Sequence, residues 1–280
     1  MKLLFIIFPL VLFVQSAFAE AGFKLAETQR GDEYGYLPTA KPGPLALVFT
    51  TDIAGSLNGK FTTIGNTLSK AGYVVASIDL PCHGKDTPER IQPLIDKVTG
   101  TISGDGLTCW ANRVSQSEND IFPPFLARIS RVITDMQSKG LIVGQRIVAI
   151  GVSRGGYIAL RASDDKRITD IVALAPVTDL QRLREFTKLK VNTTVYGLDH
   201  NAATLSRKRL FLQIGSNDSR VGTREVLHLA DSIVKAANSA PVDMTLIITP
   251  VKGHATAEHD RAVAWIEQSS VVTEGRAPPK

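Results

Sequence analysis

Short apolar runs alternate with segments of helical spacing along most of the chain. Unbroken apolar runs are typical of strands that are buried on both faces of a parallel sheet. Apolar residues three or four positions apart indicate amphipathic helices instead. The pattern predicts strands over 45–49, 73–78, 146–150, 170–175, 210–214 and 245–249. It predicts helices over 61–70, 125–139, 155–162, 180–190, 223–237 and 258–268.

This alternation of strands and helices predicts the fold class. It is α/β, with a mostly parallel sheet and helices on both of its faces. Two earlier segments between 24 and 38 are predicted as antiparallel strands at a sheet edge. We predict a single domain over residues 20–270.

The periodicity fades between residues 85 and 124, which contain several glycines and prolines. A segment of this length without a clear pattern is usually functional when it lies inside a compact domain. We therefore predict a partly helical insertion over 85–124, after the fourth strand and near the mouth of the site. The polar, proline-bearing tail over 271–280 is predicted to be disordered.

Residues 1–19 are typical of a secretory signal peptide. Lys2 precedes an apolar stretch over 3–14, and Ala17 and Ala19 fit the small-x-small cleavage pattern. An uncleaved membrane anchor is the alternative, but the apolar stretch is short for a membrane span and contains Pro9. We predict a secreted or periplasmic protein with no stable membrane anchor after signal cleavage.

The charge distribution argues against a nucleic-acid partner. The 32 Lys and Arg residues exceed the 27 Asp and Glu residues, which gives a formal net charge of +5. These charges are scattered, and the densest basic cluster, 207–209, directly precedes an apolar strand without interleaved aromatic residues. We predict no nucleic-acid binding.

The two cysteines, Cys82 and Cys109, are candidates for a disulfide. An exported protein meets an oxidising environment in which such a pair can form. Cys109 lies in the predicted insertion and Cys82 just before it, so a disulfide would tie the insertion to the sheet edge. Two free thiols are the alternative.

The strongest chemical signal is the sequence Gly151-Val152-Ser153-Arg154-Gly155 between a predicted strand and a predicted helix. This is the context of a G-x-S-x-G nucleophile elbow, in which a tight turn exposes a serine hydroxyl. Asp218 and His254 each follow a later predicted strand. Because the carboxyl ends of parallel strands meet at one sheet edge, we expect the three side chains to lie close together. His254 would act as the base for Ser153, and Asp218 would orient the imidazole.

Each of these three residues has an alternative. Ser153 could cap the following helix, and Asp218 could be an ordinary turn residue. Asp179 is the alternative acid, but Asp218 has the more suitable position. His259 is the alternative base, although it falls inside the last predicted helix.

Three segments together resemble the α/β-hydrolase superfamily, namely Gly151–Gly156, Gly215-Ser216-Asn217-Asp218 and Gly253-His254. The branch with the greatest similarity is that of the dienelactone hydrolases and prolyl-oligopeptidase-like esterases. The resemblance extends over 34–268 and implies an α/β-hydrolase fold. The sequence Asp79-Leu80-Pro81-Cys82-His83-Gly84 is similar to a D-x-P-G-H-G loop that is common in the superfamily, with Cys82 in place of a glycine. This favours a structural role for His83 over that of a second catalytic base.

The resemblance also implies an oxyanion hole made of backbone N–H groups. The residue after the nucleophile, Arg154, supplies one donor. Relatives usually carry His-Gly after the first buried strand, whereas this chain has Thr51 and Asp52. The second donor is therefore the backbone of Thr51 or Asp52, and a carboxylate at Asp52 would oppose an oxyanion unless it points away.

We predict a secreted serine hydrolase that cleaves a small-molecule carboxylic ester through an acyl-enzyme on Ser153. Candidate substrate-binding residues are Trp110, Arg113 and His83, and the side chain of Arg113 or Arg154 would favour an acidic substrate. We predict no cofactor and no metal. The sequence makes no prediction of the oligomeric state. The alternatives are a peptidase or thioesterase with the same triad, and a catalytically weak or inactive scaffold that is used for binding.

Overall fold

The computed structural model describes residues 22–58, 63–87, 94–95, 102–103, 106–187, 189 and 191–272. The predicted signal peptide, residues 1–19, lies outside the described residues. So do residues 273–280 of the predicted tail and much of the predicted insertion between 88 and 105.

Ten strands and nine α-helices are found in these described residues. The strands are β1 (Lys24–Glu27), β2 (Glu33–Leu37), β3 (Gly43–Phe49), β4 (Val74–Ser77), β5 (Leu94–Ile95), β6 (Ile102–Ser103), β7 (Ile142–Val152), β8 (Ile168–Leu174), β9 (Arg209–Asn217) and β10 (Met244–Lys252). The helices are α1 (Ile53–Leu57), α2 (Thr63–Lys70), α3 (Gly106–Ser115), α4 (Pro123–Ser138), α5 (Arg154–Arg161), α6 (Thr193–Tyr196), α7 (Ala202–Leu205), α8 (Thr223–Ala236) and α9 (His259–Val272).

Eight strands form one sheet in the order β1-β2-β4-β3-β7-β8-β9-β10. β1 and β2 pair antiparallel at one edge, and the strands from β4 to β10 in this order are parallel. In the middle of the sheet Ala149 lies between Leu47 and Ile171. The predicted α/β class with a mostly parallel sheet is confirmed. β5 and β6 form a separate antiparallel pair.

Successive residues of the central strands bury their side chains on opposite faces of the sheet. In β3, Leu45 and Leu47 belong to one apolar cluster, whereas Ala46 and Val48 belong to another. The first cluster includes side chains of α4, α5 and α8, and the second includes those of α1, α2 and α9. The continuous apolar runs of the sequence follow from this burial on both faces.

The predicted helix over 180–190 is wrong in type. The structure has two short 3₁₀ turns, Leu180–Arg182 and Arg184–Phe186, separated by Leu183 in an extended conformation with ψ 138°. Leu180, Leu183 and Phe186 are all buried. Their spacing of three residues suits the 3.0 residues per turn of a 3₁₀-helix, so burial of these side chains favours the tighter turns.

Other boundaries and elements also differ from the prediction. α9 continues to Val272 and thereby takes in the first two residues of the predicted tail. Two short helices, α6 and α7, lie in a segment for which no element was predicted. The last part of the predicted insertion contains α3, and α4 already begins at Pro123. In the described parts of the chain, no helix has the length and apolar character needed to cross a membrane.

Candidate active site

Ser153 occupies a strained turn between the central strand β7 and helix α5. Its backbone has φ 55° and ψ −115°, which is a left-handed conformation that residues with a Cβ rarely adopt. The N–H of Ser153 donates to the carbonyl oxygen of Leu174 at 3.0 Å, and its own carbonyl oxygen accepts from the N–H of Val177 at 2.9 Å. The neighbouring strand β8 and its following loop therefore hold the turn in place.

Close backbone approach explains the glycines around Ser153. A Cβ at Gly151 would overlap the carbonyl oxygen of Gly155, and a Cβ at Gly155 would overlap that of Phe49. A Cβ at Gly156 would lie 2.7 Å from the Cβ of Pro176. The elbow therefore needs glycine at all three positions because strand, turn and helix pack directly against one another.

A continuous chain of hydrogen bonds joins Ser153, His254 and Asp218. Asp218 follows β9 and His254 follows β10, so both lie at the same sheet edge as Ser153. The Nε2 atom of His254 lies 3.0 Å from Ser153 Oγ, and its Nδ1 atom lies 2.8 Å from Asp218 Oδ2. With a neutral imidazole, Nδ1–H donates to the carboxylate and Nε2 accepts from the serine hydroxyl.

Asp218 is held as a buried, fully hydrogen-bonded carboxylate. Its side chain has no exposed surface, whereas 29% of the His254 side chain is exposed. The Oδ1 atom of Asp218 accepts the backbone N–H groups of Arg220 at 2.9 Å and Val221 at 3.0 Å. Burial raises the pKa of Asp218, but the hydrogen bonds from His254 and these N–H groups outweigh it and hold the pKa below its ordinary value.

Ser153 and His254 lie on the wall of a cavity of about 240 Å³. Thr51, Leu107, Arg154 and Arg220 also line it. The walls come from the loops after β3, β7, β9 and β10 and from the first turn of α3. The candidate site is therefore a small pocket at the carboxyl edge of the sheet.

The chain is similar to proteins of one known family. A family model described as "Alpha/beta hydrolase family" matches residues 60–265. The chain belongs to the alpha/beta hydrolase family. This membership supports hydrolase activity at the site. The predicted resemblance to this superfamily is confirmed, and no curated protein sequence matches the chain significantly.

Several solved structures share the fold of this alpha/beta hydrolase at low sequence identity. A putative dipeptidyl aminopeptidase IV from Bacteroides ovatus is 16% identical with a TM-score of 0.62, over 91% of this chain and 35% of that protein. The chain thus spans about a third of that relative. An esterase from Pyrococcus furiosus is 16% identical with a TM-score of 0.59, over 89% of each chain. An S-formylglutathione hydrolase from Agrobacterium tumefaciens is 15% identical with a TM-score of 0.60, over 89% of this chain and 96% of that protein.

The structure separates Thr51 from Asp52, the two candidates for the second oxyanion donor. The Asp52 carboxylate caps the N-terminus of α1, where Oδ1 accepts the N–H of Gly55 at 2.6 Å. It lines a different cavity, next to Asp79. Thr51 lines the cavity of this alpha/beta hydrolase that contains Ser153, and its N–H donates to no group within the described residues. The carboxylate of Asp52 therefore points away from the cavity that contains Ser153.

Cys82 and Cys109 form a disulfide in this alpha/beta hydrolase. It joins the loop after β4 to α3, and Leu107 of the same helix lines the cavity. His83 in that loop is buried, with its Nδ1 atom 2.8 Å from the carbonyl oxygen of Pro81. Its Nε2 atom lies 2.9 Å from Nη1 of Arg154. The structure thus brings His83 to Arg154 and places no hydrogen bond between His83 and Ser153.

The other candidate substrate-binding residues lie away from the cavity. Trp110 is fully buried, packs edge-on against Phe122 and donates its indole N–H to the Pro81 carbonyl at 2.7 Å. Arg113 pairs with Asp86 at 2.9 Å on the surface. Neither residue is among those that line the cavity.

The alternative acid and base of this alpha/beta hydrolase also lie apart from Ser153. Asp179 caps a 3₁₀ turn, where its carboxylate accepts the N–H of Gln181 at 2.8 Å. His259 begins α9, beyond the loop that carries His254. The capping role of Asp179 explains why an aspartate occurs there.

Two supporting residues were not identified from the sequence. Gln213 is completely buried in β9, and its Oε1 accepts the N–H of Ala257 at 3.2 Å in the loop that carries His254. Thr223 accepts the N–H of Asp218 at 3.1 Å and donates to the carbonyl oxygen of Gly215 at 2.6 Å. The signal for Gln213 was a single polar residue inside an otherwise apolar strand, which needs a buried hydrogen-bond partner.

Proposed function

We propose that this protein is a secreted serine hydrolase that cleaves a small carboxylic ester through an acyl-enzyme on Ser153. The observation that carries the proposal is the hydrogen-bond chain from Ser153 Oγ through His254 to the buried Asp218 carboxylate. Its atoms lie within 2.8–3.0 Å of one another, and the serine stands on a strained elbow. A serine that only caps a helix does not require a hydrogen bond to a histidine that is itself bonded to a buried carboxylate.

The proposed reaction begins with attack of Ser153 Oγ on the ester carbonyl carbon. The hydroxyl proton moves to His254 Nε2, and Asp218 stabilises the imidazolium that forms. The negative charge on the carbonyl oxygen is stabilised by hydrogen bonds that the backbone N–H groups of Arg154 and Thr51 donate to it. Collapse of this intermediate breaks the ester C–O bond, and the leaving alcohol takes the proton from Nε2.

Deacylation repeats these steps with water. His254 Nε2 removes a proton from a water molecule whose oxygen attacks the acyl carbon. The bond to Ser153 Oγ then breaks, Oγ takes the proton back from His254, and the carboxylic acid leaves. Each cycle consumes one ester and one water and yields one acid and one alcohol.

The size of the cavity supports a small substrate. Its volume of about 240 Å³ lies below the range of roughly 300–1,000 Å³ that is usual for drug-sized ligands. Short acyl groups fit such a space, and long chains would have to extend into solvent. We therefore expect activity on 4-nitrophenyl esters to be highest for acetyl or propionyl groups and to fall with chain length.

The test is labelling of the mature protein with a fluorophosphonate, followed by assays on this ester series. We expect one label on Ser153, no label in Ser153→Ala, and unchanged labelling in the matched control Ser216→Ala, an exposed serine at the end of β9. Absence of both labelling and turnover would overturn the proposal in favour of a binding scaffold. Labelling without ester turnover would indicate a peptidase or thioesterase.

Export is part of this proposal. The disulfide between Cys82 and Cys109 supports an oxidising compartment, in which such bonds form and persist. We expect the protein recovered from an extracytoplasmic fraction to begin at Glu20, as determined by mass spectrometry of its N-terminus. An intact Met1 terminus would contradict export by signal cleavage.

A further inference from the structure

Gln213 is a polar side chain inside the apolar run of β9. It is completely buried, as are its neighbours Leu212 and Ile214. Its backbone lies opposite Leu174 of β8 and Ile247 of β10, so the position belongs to the interior of the sheet. A buried amide costs free energy unless its polar atoms form hydrogen bonds. The partners of Gln213 therefore indicate what this residue does.

Both ends of the Gln213 amide reach β10 and the loop that follows it. The Oε1 atom accepts the N–H of Ala257 at 3.2 Å, and the Nε2 atom lies 3.4 Å from Oγ1 of Thr249, which is also buried. A backbone N–H can only donate, so the amide oxygen must face Ala257. The hydroxyl of Thr249 then accepts from Nε2 and keeps the amide in this orientation. Gln213 thus joins the interior of the sheet to the loop after β10.

This loop carries His254 and has few other attachments. Among the described residues, the N–H of Ala257 is the one backbone group of residues 254–257 for which the structure shows a hydrogen-bond partner. The loop is bounded by Gly253 with φ 71° and Glu258 with φ 63°. The conformation at Glu258 is costly for a residue with a Cβ, and such conformations persist only where other contacts hold them. The bond from Ala257 to Gln213 is such a contact.

The strand β9 and the turn after it hold this loop at two points. Asp218, just after the end of β9, accepts a hydrogen bond from Nδ1 of the His254 ring at 2.8 Å. Gln213 holds the backbone farther along the loop. The bond to Asp218 alone would let the imidazole pivot, because 29% of the His254 side chain is exposed to solvent. The second point fixes the backbone from which the ring projects, and Nε2 lies 3.0 Å from Ser153 Oγ.

We infer that Gln213 is a positioning residue for the proposed base, because it fixes through Ala257 the distance between His254 Nε2 and Ser153 Oγ. This inference rests on the proposed function. Gln213 is completely buried, so it acts through the loop and not on the ester. Proton transfer to a general base needs a separation of about 2.6–3.2 Å. A displacement of about 1 Å can lower a rate by about a hundredfold.

The first experiment compares three variants with wild type in the hydrolysis of 4-nitrophenyl acetate. Gln213→Met has nearly the same volume and removes the acceptor for Ala257. Gln213→Glu keeps an oxygen at the position of Oε1, and its second oxygen can accept from the hydroxyl of Thr249. Gln181→Met is the matched control, because Oε1 of Gln181 also accepts a backbone N–H, that of Val191 at 3.0 Å. Neither Gln181 nor Val191 lines the cavity that contains Ser153.

We expect Gln213→Met to lower kcat by about tenfold to a hundredfold. KM should change little, because the lost bond acts on the base and not on the bound ester. Gln213→Glu should retain more of kcat than Gln213→Met, and Gln181→Met should keep the kcat of wild type even where it lowers stability. Equal kcat values for wild type and folded Gln213→Met would overturn the inference and leave the proposed function intact. An equal loss of kcat in Gln181→Met would also overturn it.

A measurement on the wild-type protein depends neither on the folding of a variant nor on turnover. Amide hydrogen exchange followed by NMR reports the bond from Ala257 directly. We expect the N–H of Ala257 to exchange about tenfold more slowly than those of Ala255 and Thr256, which have no acceptor within the described parts of the chain. Equally fast exchange at all three would overturn the inference. Slow exchange at Ala257 in a protein without labelling or ester turnover would overturn the proposed function and not the attachment of the loop.

Discussion

The candidate site has two sides that are held in place by different means. One side, which we call the strand-end side, comprises Ser153, Asp218 and His254, each of which lies just after the end of a parallel strand of the sheet. We call the other side the disulfide wall; it consists of residues 81–86 and helix α3. The backbone hydrogen bonds between the strands of the sheet position the first side. The second is attached by the Cys82–Cys109 disulfide and by the hydrogen bond from Trp110 to Pro81.

This difference separates the proposed reacting groups from the other groups that line the cavity. The sheet presents the proposed nucleophile, acid and base at one edge because the carboxyl ends of its parallel strands lie there. The disulfide wall contributes Leu107 to the cavity and His83 to the orientation of Arg154. Damage to the first side should therefore abolish chemistry, whereas damage to the disulfide wall should alter stability and selectivity more than chemistry.

The largest effect is expected from Asp218→Asn on the strand-end side. Asparagine can donate its amide N–H toward His254 Nδ1, which stabilises the wrong tautomer of the imidazole and removes the negative charge behind it. We expect kcat to fall by about 10⁴-fold with little change in KM. The matched control is Asp231→Asn, which removes an exposed carboxylate from α8. A loss of less than about tenfold would mean that the acid is not part of the catalytic unit.

The second prediction concerns the disulfide wall. Replacing both Cys82 and Cys109 by alanine is expected to lower the free energy of unfolding by about 3–4 kcal/mol, because the disulfide closes a loop with a sequence separation of 27. Chemical denaturation measures this loss. Under conditions where the variant is folded, labelling of Ser153 by a small fluorophosphonate should continue. Loss of labelling in the folded variant would show that the wall also positions the reacting groups.

The same contrast marks how far the site could be predicted from the sequence. Ser153, Asp218 and His254 could be placed near one another because each lies at the end of a recognisable apolar strand, and strand order follows from the fold class. The positions of Trp110 and Arg220 could not. Trp110 is buried by packing between α3 and Phe122, and Arg220 is oriented by Glu185. Both outcomes depend on contacts between distant segments, which local spacing does not encode.

The 3₁₀ turns Leu180–Arg182 and Arg184–Phe186 illustrate the same limit within the fold. The sequence predicted an α-helix over 180–190, yet Leu180, Leu183 and Phe186 all enter the core. The tertiary environment therefore decided the type of turn, against the local propensity. The strands, in contrast, needed only their unbroken apolar runs to be recognised, because both faces of the sheet are covered.

The third prediction returns to the strand-end side through the elbow. Gly155→Ala would drive a Cβ into the carbonyl oxygen of Phe49, so β3 and α5 must move apart. We expect a loss of about 3 kcal/mol in the free energy of unfolding, together with slower labelling of Ser153. Gly22→Ala is the matched control because a Cβ at Gly22 meets nothing within 4 Å. Equal stability of the two variants would show that the elbow tolerates displacement.

The smallest effect is expected for the dependence of stability on acidic pH. It compares one carboxylate from each side of the site. Burial raises the pKa of Asp218 and of Asp86, but hydrogen bonds outweigh it, and both pKa values lie below the ordinary value of 3.8. The donors are His254 and backbone N–H groups for Asp218, and Arg113 and the N–H of Cys82 for Asp86. A carboxyl whose pKa is lowered by folding stabilises the protein above its unfolded pKa, and this contribution disappears as the pH falls through the folded pKa.

Unfolding of wild type, Asp218→Asn and Asp86→Asn should therefore be followed from pH 6 to pH 2. The difference in the free energy of unfolding between wild type and each variant is expected to be largest above about pH 4 and to disappear at lower pH. The gap should be smaller and more sensitive to salt for Asp86, because 41% of its side chain is exposed whereas that of Asp218 is completely buried. A larger, salt-insensitive gap for Asp86 would reverse the contrast, since the disulfide wall would then be held more firmly by charge than the strand-end side.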